Sequence, residues 1–170
     1  MTPDRVPFGY REVSPEEKKK LVREQFDPIA PTYDLADAVL SAGLDERWRR
    51  KGIGLLGLRE GDRVLDLCGG TGDFALLAAA RTGGQGRVVI YDFNRRMMEA
   101  GRRKIKRFPG GSNIQCVQGD AESISFAKES FEAVILGFGL RNFVHVELGL
   151  KEMYRILRPG GRVLVLEFSL

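Results

Sequence analysis

Two patterns of apolar residues divide the chain. Over roughly the first 58 positions, apolar residues recur at helical spacing among many charges. Residues 1–13, with Pro3, Pro7 and Gly9, read as an extended arm. Ser14-Pro15-Glu16-Glu17 reads as a helix start: serine at the cap, proline at the first helical position, glutamate at the third. That helix runs to about Phe26, and Pro28 and Pro31 break it. A second helix is expected over 35–42, ended by Gly43, and a third, capped by Asp45, passes through Trp48 to about Leu56.

From Arg63 onward, short β-rich runs appear at 63–68, 87–93, 114–117, 131–136 and 162–168. Helical stretches over 73–80, 95–107 and 146–157 separate most of them. Strands alternating with helices mean βαβ units and a parallel sheet. Continuous apolar runs such as 163–166 suit strands covered on both faces. Pro159-Gly160-Gly161 is expected to turn the chain into the last strand. The expected architecture is α/β: a mostly parallel sheet in strand order 3-2-1-4-5 with helices on both faces. A helical segment over 1–58 precedes the α/β domain over 59–170. The last strand is apolar and has no strand to follow it. It is expected either to pair with a second copy, as in a homodimer, or to be covered by the N-terminal helices.

Composition narrows the chemistry. The 170 residues, 27 basic against 23 acidic and 43% hydrophobic, suit one ordinary domain. A net charge of +4 is too mild to indicate nucleic acid. His145 is the one histidine, and Cys68 and Cys116 lack CxxC spacing. That argues against a zinc site, so no metal is expected, and a hydrolytic triad would rest on His145 alone. No run reaches the roughly 18 apolar residues of a membrane span, and no apolar signal core stands at the start, so a cytoplasmic chain is expected.

The strongest local signal is the passage from the run 64–67 into Cys68-Gly69-Gly70-Thr71-Gly72-Asp73. A buried strand ends, a glycine-rich turn follows and a helix begins, which is where open α/β sheets bind ligands. The segment from Gly70 to Ala75 fits the dinucleotide pattern GxGxxA, with Asp92 about 20 residues on. Asp66 and Asp73 would repel a pyrophosphate there; they suit a ligand with an ammonium and a sulfonium, as S-adenosylmethionine (SAM) has. Asp92 can accept from ribose hydroxyls of either cofactor. Asn94 caps the next helix, Met97 can pack on an adenine face, and Met97 or Met98 otherwise packs the core. Asp120, after the third strand, can accept from an adenine amino group. Arg141 and Asn142 follow the fourth strand, where they can face a substrate or form an ordinary loop pair and cap.

Together, the run 65–73, Gly119 to Glu122, Phe138-Gly139-Leu140-Arg141-Asn142, the run 157–161 and the run 164–169 resemble the ubiquinone/menaquinone biosynthesis C-methyltransferase family. Phe8 to Tyr10, Phe26-Asp27, Ala30 and Tyr33-Asp34 are similar to that family's N-terminal region. The resemblance implies a Rossmann-like class I SAM-dependent methyltransferase. Its substrate would be a lipid-soluble reduced polyprenyl quinone precursor, methylated on a ring carbon, with S-adenosylhomocysteine (SAH) as product. Thr71, Asp92, Asp120 and Ala121 match the family's SAM contacts, beside the loop residues Asp66, Gly69, Gly70 and Gly72. Gly137 stands where many relatives have serine, and Asp120 where they often have asparagine. Arg141, Asn142 and Tyr33 match positions on the substrate side, Arg141 for the developing phenolate and the other two for orienting the ring. Family members continue past Leu-Glu-Phe-Ser with the last two strands, so the chain, ending at Leu170, reads as truncated and its sheet as lacking them. The alternatives are a SAM-binding fragment without turnover and an NAD-dependent oxidoreductase. The helix over 95–107 carries Arg95, Arg96, Arg102, Arg103, Lys104, Lys106 and Arg107 against Glu99. It reads first as a solvated face and second as a weak peripheral contact with anionic lipid headgroups. RNA is disfavoured, because no aromatic residues interleave the charges.

Overall fold

The computed structural model describes residues 5–41 and 43–168, with the backbone alone for Asp37 and Ala38. Expectations placed on Pro3, Ala42, Ser169 and Leu170 lie outside the described residues. The described part of the arm is not simply extended. It folds back as an antiparallel hairpin of β1 (Val6–Phe8) and β2 (Arg11–Val13), with Val6 opposite Val13 and Gly9 at φ +60° in the turn. Val6 and Val13 bury themselves against Val144, far along the chain, so nothing local announced the pairing.

Helix α1 (Pro15–Phe26) starts as the sequence reads, with the Ser14 hydroxyl accepting from Glu17 N–H at 3.2 Å. After a short 3₁₀ turn over Ala30–Thr32 come α2 (Tyr33–Ser41) and α3 (Leu44–Leu56). Gly43, left-handed at φ +78°, holds the cap position that the sequence assigned to Asp45. Asp45 is instead buried in the first turn, accepting from the Ser41 hydroxyl and the Arg49 guanidinium.

The sheet comprises β3 (Arg63–Leu67), β4 (Arg87–Asp92), β5 (Ile114–Gln118), β6 (Phe131–Gly137) and β7 (Leu157–Leu166). It is parallel throughout, in the order β5-β4-β3-β6-β7. This is the 3-2-1-4-5 order expected from helical crossovers. Helices α4 (Asp73–Thr82), α5 (Arg95–Arg107) and α6 (Val146–Ile156) make those crossovers. Alternate residues feed two cores: Val64, Val88, Ile90, Ala133 and Ile135 pack with α3, α4 and α5, while Leu65, Leu67, Tyr91, Val134 and Leu136 pack with α6. Both faces are covered, which is why the inner runs of β4 (residues 88–91) and β6 (residues 133–136) are apolar without alternation.

Pro159-Gly160-Gly161 lies within β7 rather than before it. Leu157 pairs with Phe131 and Arg162 with Ala133, so the residues between bulge out. On the last strand, Gly52 of α3 presses against Leu164, where a Cβ would meet Cδ2 at 3.0 Å. The N-terminal helices thus cover one face of β7, while Val163 and Val165 stay 45% and 42% exposed.

Candidate functional site

A cleft opens beyond the carboxyl ends of β3, β4 and β6. It lies where the strand order reverses between β3 and β6, the switch point at which open sheets bind ligands. Two non-glycine residues with left-handed backbones flank it: Cys68 at φ +54° after β3 and Phe138 at φ +57° after β6. Such conformations are costly and concentrate at functional sites. The loops touch closely, since a Cβ on Gly139 would come within 2.8 Å of Cys68 Cβ.

The glycine loop is shaped by close approach as much as by dihedral freedom. A Cβ on Gly69 would sit 2.7 Å from the Asp66 carboxyl carbon, and Gly72, at φ +88°, would meet Ile90 at 2.6 Å. Asp66, 1% exposed, accepts from Ala75 N–H at 3.0 Å. Burial, reinforced by Asp73 and Asp92, pushes its carboxyl up to about 8 against the pull of that N–H and of Arg49. Asp92 accepts from Gly70 N–H at 2.9 Å and Asn94 N–H at 2.7 Å, yet burial still raises it to about 6. Asn94 also accepts from Met97 N–H at 3.1 Å, capping α5 as expected. Met98 joins the core, whereas Met97 lines the cleft beside Gly70.

The structure tempers the electrostatic argument made from sequence. Asp73 is paired with Lys104 and lies 3.7 Å from Arg49, and Asp66 holds its proton near neutrality. The two carboxylates therefore present much less negative charge than their count implies. The N-terminal helices also reach every strand end. Thr71 donates to Asp34 at 2.6 Å, and Lys104 bridges Asp34 at 2.7 Å and Thr71 at 3.0 Å. Asn94 donates to Asp27 at 2.9 Å. Lys19 donates to Asp120 at 2.6 Å; against the cost of burial, Lys19 and Glu122 N–H hold the Asp120 carboxyl below its ordinary value. Asp120 and Ala121 line a neighbouring pocket that shares Cys68, Phe93 and Asn142 with the cleft.

Most of the residues singled out from sequence therefore converge. Asp66, Gly69, Gly70, Thr71, Asp92, Asn94, Met97, Gly137, Tyr33 and Asn142 line the cleft, and Gly72 shapes its loop. Arg141 does not join them: it turns outward to Glu167 at 2.5 Å and over the Phe168 ring. His145 stands before α6 and lines neither pocket. A Cβ at Gly137 would come within 2.2 Å of the Phe74 ring, so Phe74 fills the room a side chain there would need. Sequence reasoning missed Phe74 and Arg49. Arg49 had left a trace: residues 45, 49, 52, 53 and 56 form the buried stripe of α3, so a charged i, i+4 pair stands on an inward face.

Among the described residues, no group of three or more His, Cys, Asp or Glu could hold a metal ion, and no helix is long and apolar enough to cross a membrane. The ubiE/COQ5 methyltransferase family matches residues 12–170. The ubiquinone/menaquinone biosynthesis C-methyltransferase UbiE of Haemophilus ducreyi is 46% identical over 162 residues, 95% of this chain and 62% of that protein. The chain thus spans about three-fifths of the length of the curated relatives it matches. A SAM-dependent methyltransferase from Aquifex aeolicus has the same fold, with a TM-score of 0.63 and 18% identity over 92% of this chain and 74% of that one. The arsenic(III) S-adenosylmethionine methyltransferase CrArsM of Chlamydomonas reinhardtii gives a TM-score of 0.57 and 32% identity, over 61% of this chain and 38% of its own.

Proposed function

The chain belongs to the ubiE/COQ5 methyltransferase family, and from that premise we propose that it serves methyl transfer from SAM to a ring carbon of a reduced polyprenyl quinone precursor, a demethylmenaquinol or a polyprenyl benzoquinol. The observation that carries the cofactor half is the glycine loop facing Asp92 across a cleft at the switch point. The residues present fit SAM: the loop allows close backbone approach, and Asp92 keeps acceptor capacity beyond its two N–H bonds for ribose hydroxyls. Asn94 and Met97 support the nucleoside, and Asp120 with Ala121 serves the base once Lys19 shares or yields its contact. When bound, SAM supplies the electrophilic methyl group.

The chain's own part is then positioning. Tyr33 and Asn142 line the cleft and orient the ring. Arg141 stabilises the phenolate by leaving Glu167, a move open to an exposed side chain. The helices within 1–58 form the substrate-side cover over the domain 59–170. The lipid-soluble acceptor also gives meaning to the surface. Leu35, Val39 and Leu40 of α2 are 67%, 70% and 87% exposed, and Asp34 ties α2 to the basic helix α5. An apolar helix beside a basic one suits weak peripheral contact with a membrane from the cytoplasmic side.

Calorimetry with SAM, SAH and NAD tests the cofactor. We expect SAM and SAH to bind and NAD not to; NAD binding in their place would restore the oxidoreductase. Turnover with a soluble quinol analogue then separates an enzyme from a fragment that binds cofactor without reacting.

A further inference from the structure

Arg49 has no part in the function above, yet its placement is specific. It is 6% exposed, and among the described residues that line the cleft it is the one cation. Asp45, itself held by the Ser41 hydroxyl, grips it from within α3, and Asp73 lies 3.7 Å away. The guanidinium rests over two rings, Phe74 at 5.9 Å and Phe138 at 5.7 Å. A buried cation needs a partner, and Asp45 alone would meet that need inside the helix. It does not explain why the group stands at the cleft wall between two aromatic faces.

Strand order gives the cleft a direction. Asp120 follows β5, Asp92 ends β4, and Asp66 and Asp73 flank the loop after β3. With a base near Asp120 and a ribose at Asp92, whatever the ribose carries continues toward β3 and α3. An α-amino acid terminus holds an ammonium and a carboxylate on one carbon. Acids answer the ammonium and repel the carboxylate. The guanidinium, whose planar fork matches a carboxylate, is the group the cleft offers for it. We propose that Arg49 binds the α-carboxylate of the amino-acid end of SAM and SAH, with Asp66 and Asp73 facing the adjoining ammonium. The proposal rests on the SAM reading above.

Calorimetry with three probes isolates the carboxylate: SAH, its decarboxylated analogue (which keeps the amine), and 5′-methylthioadenosine, which lacks the amino-acid end. The wild-type chain should bind SAH roughly 10- to 100-fold more tightly than the decarboxylated analogue, the effect of one charge-assisted contact. A ratio near one overturns the proposal without any variant. If none of the three binds, the SAM reading itself fails and the proposal falls with it. Arg49→Gln, and Asp45→Asn/Arg49→Gln in which no buried carboxylate is left orphaned, should lose that preference while keeping methylthioadenosine affinity. Arg49→Lys should restore part of it. Equal weakening of all three probes would mark Arg49 as structural and overturn the assignment.

Discussion

At the scale of single residues, burial governs the site more than formal charge. Asp66 carries its proton near neutrality because its carboxyl rises from an ordinary 3.8 to about 8. For a raised acid, the folded state binds the extra proton between those values. Its contribution to stability is therefore greatest below about pH 4 and declines as pH rises toward 8. Ligand binding has the opposite sign: an ammonium beside Asp66 favours the carboxylate, so binding releases a proton. SAH affinity should increase from pH 6 to 8, with proton release detected by calorimetry in buffers of different ionisation enthalpy. Asp66→Asn should flatten that slope, and an unchanged slope would refute this account. Gly137 yields a second prediction. Gly137→Ser forces a Cβ into the Phe74 ring and should cost about 1–3 kcal/mol of stability, as overpacking does. Phe74→Leu in the same chain should recover part of the loss in thermal unfolding. The sequence shows the missing serine, but not Phe74, which lies 63 residues upstream and meets Gly137 only in the fold.

Among the elements, those with local signatures were the legible ones. Ser14 and Glu17 mark the start of α1, and Asn94 marks the start of α5. Ser14→Ala should cost about 1 kcal/mol in denaturant unfolding and leave SAH affinity unchanged. Illegible elements owe their form to distant partners. The hairpin of β1 and β2 closes on Val144, and the bulge of β7 follows from its pairing with β6. The same holds for the site. The strand-end acids could be read from the run of strands, but Asp34 meets Thr71, Asp27 meets Asn94 and Lys19 meets Asp120 across 37, 67 and 101 residues, and such pairings leave no periodic trace. Helix α2 depends on one such link. Asp34→Asn weakens the bridge to Lys104, worth up to about 1 kcal/mol at a half-exposed position. Amide exchange in α2 should then quicken while the sheet stays protected; equal exchange in both chains would show that Asp34 does not hold the helix.

For the whole molecule, strand order was the most predictable feature, because three of the four connections between sheet strands carry a helix and parallel crossovers take one hand. The surface was less so, since charge along α5 says nothing of what lies beside it. The structure sets exposed apolar α2 against that charge. The protein should sediment with vesicles rich in anionic lipid, and less so with neutral ones or in high salt. Arg103→Glu/Arg107→Glu should weaken the anionic binding roughly 30-fold or more, since each basic residue adds about 1 kcal/mol at such a surface. Equal binding to both vesicle types would remove the electrostatic component.

The two cysteines make the cleft accessible to chemical labelling. Cys68, strained in backbone and walled in between cleft and neighbouring pocket, has its thiol pushed well up by burial and by the surrounding acids. Cys116 stands exposed on the edge strand β5. A maleimide should therefore modify Cys116 first, providing a handle for a fluorophore away from the chemistry. With Cys116→Ser in place, the slow reaction of Cys68 becomes a clock for the cleft, and SAH should slow it further as the wall beside Gly69 is shielded.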